Sequence, residues 1–264
     1  MGRVGAVLAT AVAVSISFLA VGCGDEGSDD NVRNPNIAGA RVAWGEPAGG
    51  DPIGVVMLIH GGGWERDDSG YEEQRENADN FEDRGYVTVA IGYDKGARGF
   101  RQVDAIYREA RERYPDLPVC ASGISAGGHL ALMLAAREPE LDCVIALAAP
   151  TDLTTLAAQD PAGDEGYKAA VDAFGKNQLA RFSPIRYADR IKAKVLLIVA
   201  ESDPVAVPEQ SRELADVLPS AELLVLPPGP IPVPWAHFGG VEEGAQNIVI
   251  DRGFDFLEQV TQAG

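Results

Sequence analysis

Cysteine and histidine are scarce in this sequence, with three of each among 264 residues. So few cysteines exclude a protein built on a framework of disulfides and a zinc module with several Cys ligands. Basic side chains are also few: 22 Lys and Arg against 40 Asp and Glu give a formal net charge of −18. Because a strongly negative surface repels phosphate, nucleic acids and anionic lipid headgroups are not expected as partners.

Hydrophobic residues are plentiful and make up 46% of the chain, which excludes wholesale disorder. The length is sufficient for one large domain with a substantial core. Neither an internal repeat nor a linker divides residues 40–264. We therefore expect a single domain over that range.

The first 22 residues have the pattern of a secretory signal peptide. Arg3 precedes an almost uninterrupted apolar run over residues 4–21, which ends in small residues. Cys23 follows directly, and this resembles a bacterial lipoprotein signal, in which cleavage leaves the cysteine as the lipid-bearing N-terminus. A plain signal peptide and an uncleaved membrane anchor are the alternatives.

All three alternatives place the domain outside the cytoplasm, either secreted or anchored to the membrane of a bacterial cell envelope. Residues 24–39 are rich in Gly, Asp, Ser and Asn, with almost nothing to bury. Residues 23–39 are therefore interpreted as a lipidated cysteine followed by a flexible, solvated tether.

Short apolar runs alternate with helical patterns through the remaining chain. The runs that predict strands buried on both faces are 54–60, 85–93, 119–124, 143–148, 194–200 and 222–226. Strands separated by single helices pair in parallel through right-handed crossovers, so the sequence predicts an α/β fold with a mostly parallel, doubly wound sheet flanked by helices. Residues 153–182 break this alternation and predict a small cap. Residues 227–234 are rich in proline and predict a stiff extended loop.

A G-x-S-x-G motif occupies residues 123–127, between a buried strand and a helix that is apolar on all sides. Its glycines allow a tight turn with no side chain in the way, so that Ser125 projects its hydroxyl above the sheet. The N-terminus of the helix brings N–H groups and the positive end of its dipole to the serine. The motif predicts a nucleophile, and an ordinary glycine-rich turn is the alternative.

A second motif, HGGGW at residues 60–64, follows the first of these predicted strands. Glycines at such a place let backbone N–H groups approach a developing oxyanion closely. With these two motifs in this order, residues 40–261 resemble α/β-hydrolases of the esterase/lipase group that carries an HGGG oxyanion motif, close to small carboxylesterases and acetylesterases. Residues 93–97, YDKGA, depart from the YR-x-AP stretch that is common in that group.

The resemblance implies an α/β-hydrolase fold and a set of site residues, with no cofactor and no metal. It implies that Ser125 is the nucleophile, Asp203 the acid and His237 the base. It also implies an oxyanion hole formed by the backbone N–H groups of Gly62, Gly63 and Ala126.

The three histidines can also be compared as candidates for the base. His60 opens the oxyanion turn on the wrong side of the strand end, and His129 points along its own helix one turn after Ser125. His237 follows the last sheet strand, in the chain order Ser…Asp…His expected of this fold. Elimination and order both favour His237.

For the acid, the residues themselves leave alternatives open. Asp203 lies at the end of a strand and faces the side of the sheet on which the acid is needed. Glu201 lies two residues earlier and has access to the same role in an irregular turn. Asp152 follows the preceding strand, where such a residue is more often a helix N-cap.

Two further features permit more than one interpretation. Cys120 and Cys143 begin adjacent predicted strands, where they are either a disulfide or two buried thiols, and neither is expected to be catalytic. The acidic residues between positions 65 and 83 suggest a metal site, but interspersed arginines and the absence of EF-hand spacing favour a solvated helix face.

These observations predict an extracytoplasmic serine hydrolase that cleaves carboxylic esters through an acyl-enzyme. An arylformamidase- or amidase-like hydrolase with the same triad is the alternative enzyme, and a catalytically silent binding protein is the alternative from another class. Because the predicted cap is not strongly apolar, short acyl groups are the expected substrates. Candidates to line a compact pocket are Trp64, Phe174, Phe182 and Trp235.

Overall fold

The structure, a computed structural model, describes residues 36–159, 165–237 and 239–262. The predicted signal peptide and the predicted lipidation site, Cys23, lie outside the described residues. Among the helices that are described, none is both long and apolar enough to cross a membrane.

Eight strands form one sheet. In chain order they are β1 (Asn36–Ile37), β2 (Ala40–Gly45), β3 (Gly54–Ile59), β4 (Tyr86–Gly92), β5 (Val119–Ile124), β6 (Cys143–Leu147), β7 (Lys194–Ala200) and β8 (Ala221–Leu226). Their order across the sheet is β1-β2-β4-β3-β5-β6-β7-β8. The pairs among β3 to β8 are parallel, and β1 and β2 add two antiparallel pairs at one edge. The predicted, mostly parallel sheet is confirmed.

Helices cover both faces of the sheet. They are α1 (Asp68–Glu82), α2 (Ala97–Arg113), α3 (Ala126–Ala135), α4 (Leu156–Gln159), α5 (Glu165–Phe174), α6 (Pro208–Val217) and α7 (Ala245–Thr261). Apolar side chains of α2, α3 and α6 pack in one core cluster, while those of α1 and α7 pack in a second. Two short 3₁₀ helices, Lys176–Phe182 and Pro184–Arg190, lie between α5 and β7.

The edge strands β1 and β2 are absent from the sequence prediction. Arg41 interrupts the apolar run of β2 because this strand pairs antiparallel with β4 and exposes one of its positions. β1 consists of Asn36 and Ile37, which belong to the segment predicted as a tether. The described fold therefore includes the last residues of that segment, held by pairing with β2.

The proline-rich segment forms a strand rather than a loop. β9 (Pro228–Pro232) pairs antiparallel with β10 (Gly240–Val241) in a two-stranded ribbon separate from the main sheet. A Cβ at Gly229 would lie 2.3 Å from the carbonyl oxygen of Val241, so the ribbon requires glycine there. The turn of this ribbon carries His237.

Cys120 and Cys143 form a disulfide between β5 and β6. The two residues are register partners on neighbouring parallel strands, and their Cα atoms are 4.5 Å apart. Both residues are buried. Of the two interpretations that the sequence allows, the structure therefore has the disulfide.

Candidate active site

Ser125 lies in a sharp turn between β5 and α3. Its backbone is in an unusual conformation for a residue with a side chain, with φ 52° and ψ −119°. A Cβ at Gly123 would lie 2.4 Å from the backbone of Gly127, and a Cβ at Gly127 would lie 2.1 Å from the carbonyl oxygen of Ile59. Any larger residue at either position would displace backbone, so both glycines of the motif are required for this turn.

Three side chains form a continuous hydrogen-bonded series at the carboxyl ends of the strands. His237 Nε2 is 2.9 Å from Ser125 Oγ. His237 Nδ1 is 3.0 Å from Oδ1 and 2.9 Å from Oδ2 of Asp203. A carboxylate accepts hydrogen bonds, so the geometry fits an Nδ1–H that donates to Asp203 and an Nε2 that accepts the serine proton.

Asp203 is held by the turn that follows β7, which we call the acid turn (residues 201–206). Its side chain is fully buried. Oδ1 accepts hydrogen bonds from the backbone N–H groups of Val205 and Ala206, each over 2.9 Å. These bonds compensate the burial of the carboxyl group and fix its orientation toward His237.

His237 is placed by the ribbon of β9 and β10. It adopts a left-handed backbone conformation, with φ 49° and ψ 39°, and its side chain is 20% exposed. The ribbon is attached to the acid turn, because Ser202 Oγ donates to the carbonyl oxygen of Gly240 over 2.5 Å. A Cβ at Gly239 would approach the carbonyl oxygen of Ser202 to 2.7 Å, so the two turns touch.

The alternative acids lie elsewhere. Glu201 is exposed and pairs with Arg212 over 2.5 Å. Asp152 Oδ1 accepts from the backbone N–H and the hydroxyl of Thr154, at 2.8 and 2.6 Å. Asp152 thus caps a local turn, and Asp203 is the acidic residue that the structure places against His237.

The HGGGW segment, which we call the oxyanion loop (residues 60–64), passes beside the nucleophile turn. Gly62 and Gly63 have φ values of 97° and 62°, which are accessible to glycine. A Cβ at Gly61 would be 3.5 Å from Cβ of Ser125. Toward other described residues, the backbone N–H groups of Gly62, Gly63 and Ala126 make no backbone hydrogen bond. These groups therefore remain available to donate hydrogen bonds to a ligand oxygen beside Ser125, as an oxyanion hole requires.

Tyr93 supports the oxyanion loop, a role that the sequence analysis did not identify. Its hydroxyl donates to the carbonyl oxygens of His60 and Gly61, at 3.0 and 3.1 Å. The ring of His60 stacks on that of Tyr93, with centroids 4.2 Å apart. His60 is buried, and burial lowers its pKa. In the sequence, the only indication of this role is a tyrosine at the end of a buried strand. The groups that its hydroxyl bonds depend on tertiary contacts, which the sequence does not show.

The third histidine, His129, is fully buried in the first turn of α3. Burial lowers the pKa of His129 to about 4. Its ring bonds Trp64 and the carbonyl oxygen of Phe182. The hydrogen bond to Ser125 is made by His237, as the sequence analysis expected of the base.

The helix α5, within the predicted cap, lies between the acid turn and the oxyanion loop. A Cβ at Gly166 would be 3.0 Å from Cγ1 of Val205, and a Cβ at Gly63 would be 3.4 Å from Cβ of Ala169. At the far end of α5, Asp172 pairs with Lys95, which also pairs with Glu65 over 2.5 Å. The YDKGA segment therefore contacts the cap, which the sequence alone did not show.

The aromatic rings expected to line a pocket are mostly packed away. Trp64 and Phe174 are 2% and 9% exposed, and their centroids are 5.4 Å apart. Phe182 stacks on Phe174 at 4.5 Å. The rings of Trp64 and Phe174 pack against His129, and Phe174 and Phe182 belong to the predicted cap itself. Trp235 is half-buried in the turn that carries His237.

The acidic residues after position 65 do not gather around one point. Glu72 pairs with Arg41 over 2.6 Å and with Arg75 over 2.7 Å on the exposed side of α1. Within the described ranges, no group of three or more His, Cys, Asp or Glu side chains is arranged to hold a metal ion.

Comparison with known proteins identifies a family. Residues 88–226, more than half of the chain, match the model of the prolyl oligopeptidase family. This span contains Ser125 and Asp203, whereas the oxyanion loop and His237 lie outside it. A curated relative is dipeptidyl aminopeptidase BIII of Pseudoxanthomonas mexicana, 24% identical over 66% of this chain and 29% of the relative. The chain thus aligns with less than a third of that relative's length.

Two solved structures illustrate the likeness of fold. An acylaminoacyl peptidase from Pyrococcus horikoshii is 20% identical, with a TM-score of 0.58 over 71% of this chain and 34% of the peptidase. A butyrate-bound thermophilic esterase from Thermogutta terrifontis is also 20% identical, with a TM-score of 0.64 over 84% of this chain and 89% of the esterase.

The matching family model is not that of the esterase group suggested by the two motifs, but both belong to the α/β-hydrolases, and the fold predicted from the sequence is confirmed. The protein has the α/β-hydrolase fold and belongs to the prolyl oligopeptidase family.

Proposed function

We propose that this protein is a serine hydrolase that cleaves short-chain carboxylic esters through an acyl-enzyme. The observation that carries the proposal is the hydrogen-bonded series from Ser125 through His237 to Asp203. A binding protein on the same fold has no need of a complete series of this kind.

The proposed reaction uses these three residues in turn. Ser125 Oγ attacks the carbonyl carbon while His237 Nε2 takes its proton, and Asp203 stabilises the resulting imidazolium. The oxyanion of the tetrahedral intermediate accepts hydrogen bonds from N–H groups of Gly62, Gly63 and Ala126. His237 then gives its proton to the leaving alcohol. Water then attacks the acyl-enzyme with His237 again as base, and His237 returns this proton to Ser125 Oγ as the carboxylic acid leaves.

Two observations support an ester with a short acyl group. The first is the position of α5, whose small residues Gly166 and Ala169 contact the acid turn and the oxyanion loop and so bring the cap against the site. The second is the likeness to the butyrate-bound esterase, which extends over most of both chains.

Peptide or amide hydrolysis is the second candidate, because the family match and the curated relative point to peptidases. The alignment covers only 29% of that relative, so most of the relative's length has no counterpart in the alignment. An amide bond is cleaved by the same three residues when its leaving amine is protonated by His237. The two candidates therefore differ in substrate recognition and share the triad.

Labelling with a fluorophosphonate and parallel assays on matched substrates test the proposal. We expect one adduct per molecule on Ser125, and faster hydrolysis of p-nitrophenyl acetate than of acetyl p-nitroanilide or aminoacyl p-nitroanilides. Ser125→Ala should abolish the adduct and lower kcat at least about 10³-fold. Ser122→Ala, the same change in the middle of β5, is the control and should retain activity. Preference for the anilides would favour the peptidase, and a folded protein without adduct or turnover would favour the binding protein.

We further propose that the mature protein is extracytoplasmic and lipidated at Cys23. The disulfide between Cys120 and Cys143 supports this location, since disulfides persist in oxidising compartments. Metabolic labelling with a fatty acid should mark the wild type, and Cys23→Ser should lose both the label and the membrane fraction. Purified protein that still carries residues 1–22 would instead indicate an uncleaved anchor.

A further inference from the structure

His129 is a buried side chain that the proposed reaction does not use. It lies on α3, one helical turn after Ser125, and it is 0% exposed. Trp64 Nε1 donates to His129 Nδ1 over 2.9 Å, and His129 Nε2 is 2.6 Å from the carbonyl oxygen of Phe182. The imidazole therefore joins three separate segments of the chain.

Both partners of His129 require the same neutral tautomer. An indole N–H can only donate, so Nδ1 accepts and carries no proton. A carbonyl oxygen can only accept, so Nε2 carries the proton and donates it. Burial lowers the pKa of His129 to about 4, and the neutral ring is consequently the form present near neutral pH.

Trp64 connects His129 to the active site, because it bonds His129 and ends the oxyanion loop. It directly follows Gly63 and adopts a left-handed backbone conformation with φ 62°. For a bulky residue this conformation is strained, and it persists only where neighbouring contacts hold it. Those contacts are the bond to His129, a bond from the N–H of Gly96 to the carbonyl oxygen of Trp64, and ring packing against Phe174.

Ser125 and the oxyanion loop are therefore both held in place relative to the same helix, α3. Ser125 immediately precedes α3, and His129 on α3 anchors Trp64 at the end of the loop. Tyr93 anchors the other end at His60 and Gly61. Gly62 and Gly63 lie between these two anchors, and glycines without support would leave the directions of their N–H groups undefined.

We propose that His129 is a positioning residue that, through Trp64, holds the N–H groups of Gly62 and Gly63 in the geometry required by the oxyanion. The proposal rests on the proposed function, since an oxyanion forms only when Ser125 attacks a carbonyl. Donors aimed in advance at the oxyanion stabilise the transition state more than the bound substrate. Loss of His129 should therefore lower kcat and leave KM nearly unchanged.

Two substitutions of His129 separate its two hydrogen bonds. His129→Asn places a carboxamide oxygen near the position of Nδ1, so it can accept from Trp64 but cannot reach Phe182. His129→Gln extends its amide nitrogen toward the position of Nε2, so it can donate to Phe182 while the indole loses its acceptor. Trp64→Phe keeps an aromatic ring and removes the indole N–H.

The experiment measures kcat and KM for p-nitrophenyl acetate, with active sites titrated to completion by a fluorophosphonate and Tm recorded for each variant. Per titrated site, we expect kcat to fall about 10-fold or more in His129→Gln and Trp64→Phe, with KM within about twofold of wild type. His129→Asn should retain most of kcat, even if its Tm falls as far as that of His129→Gln.

Equal losses of kcat in His129→Asn and His129→Gln would overturn the proposal. So would losses confined to Tm or to the number of titratable sites, because these would show that His129 only stabilises the fold. A wild-type protein with neither turnover nor adduct would instead overturn the proposed function, and the inference with it.

Discussion

Removal of the disulfide between Cys120 and Cys143 should lower the free energy of unfolding by about 3 kcal/mol. The bridge joins residues 23 positions apart. In the chain-entropy treatment, a loop of this length removes about 12 cal/mol/K from the unfolded chain, which is about 3.4 kcal/mol at 25 °C. A loss of this size lowers Tm by about 7–14 °C in a domain of 150–250 residues. The two Cα atoms are register partners on neighbouring strands, so the bridge spans an existing strand pair.

Urea unfolding of oxidised and reduced protein measures this difference. A Cys23→Ser background leaves Cys120 and Cys143 as the sole sources of thiol, and the reduced form is prepared in denaturant before refolding. The comparison changes only the covalent link, so no cavity contributes to it. The double variant Cys120→Ala/Cys143→Ala should be at least as unstable as the reduced form, because it also loses two buried sulfur atoms. A difference below about 0.5 kcal/mol would refute the entropic reasoning, and two free thiols in the protein isolated under oxidising conditions would refute the bridge.

Three further predictions concern the site and its surroundings. Asp203→Asn should lower kcat by several orders of magnitude. Glu201→Gln loses only an exposed pair with Arg212 and should retain activity within about twofold. If kcat falls more in Glu201→Gln than in Asp203→Asn, the acid is Glu201. Because burial lowers the pKa of His129 to about 4 from the ordinary 6.5, the unfolded chain binds this proton more readily between those values. The contribution of the neutral, buried His129 to the free energy of unfolding is fully present above about pH 6.5 and falls by up to about 3 kcal/mol toward pH 4. Urea unfolding across this range should show a steeper loss of stability for wild type than for His129→Asn. Across p-nitrophenyl acetate, butyrate, octanoate and palmitate, kcat/KM should be highest for the two shortest esters. A maximum at palmitate, or activation at an oil–water interface, would contradict the proposed preference for short acyl groups.

The central sheet could be predicted because its strands are buried on both faces. Continuous apolar runs of this length, such as residues 54–59 and 194–200, are typical of buried strands in a parallel sheet. β2 could not be recognised in the same way, since an antiparallel edge strand exposes positions such as Arg41 and loses the continuous pattern. β9 escaped prediction for a different reason: its prolines hide any periodicity, and its partner, Gly240–Val241, is too short to be recognised alone.

The candidate site was predictable to the extent that motifs encode local geometry. The backbone turn around Ser125 follows from Gly123 and Gly127, whose positions leave no space for a Cβ. The position of His237 beside Ser125 depends on contacts between residues 112 positions apart. The sequence predicted it only through the chain order Ser…Asp…His. The bond between Trp64 and His129 spans 65 residues, and the sequence predicts Trp64 only as a pocket-lining ring and His129 only as a residue on its own helix. Such pairs become visible only when the fold brings their segments together.

The ribbon that carries His237 has a consequence for the order in which the molecule loses structure and activity. Its ladder partners, Pro232 opposite Gly240 and Pro228 opposite Val241, lack the N–H groups that a strand normally contributes. Segments with few backbone hydrogen bonds open by local unfolding at a much lower free energy than a central parallel sheet, and their amides exchange with solvent earlier. His237 should therefore leave the site in denaturant while the sheet, Ser125 and the buried aromatic cluster remain folded. Inactivation would then precede unfolding, and the proposed hydrolase activity would report on one short ribbon rather than on the stability of the domain.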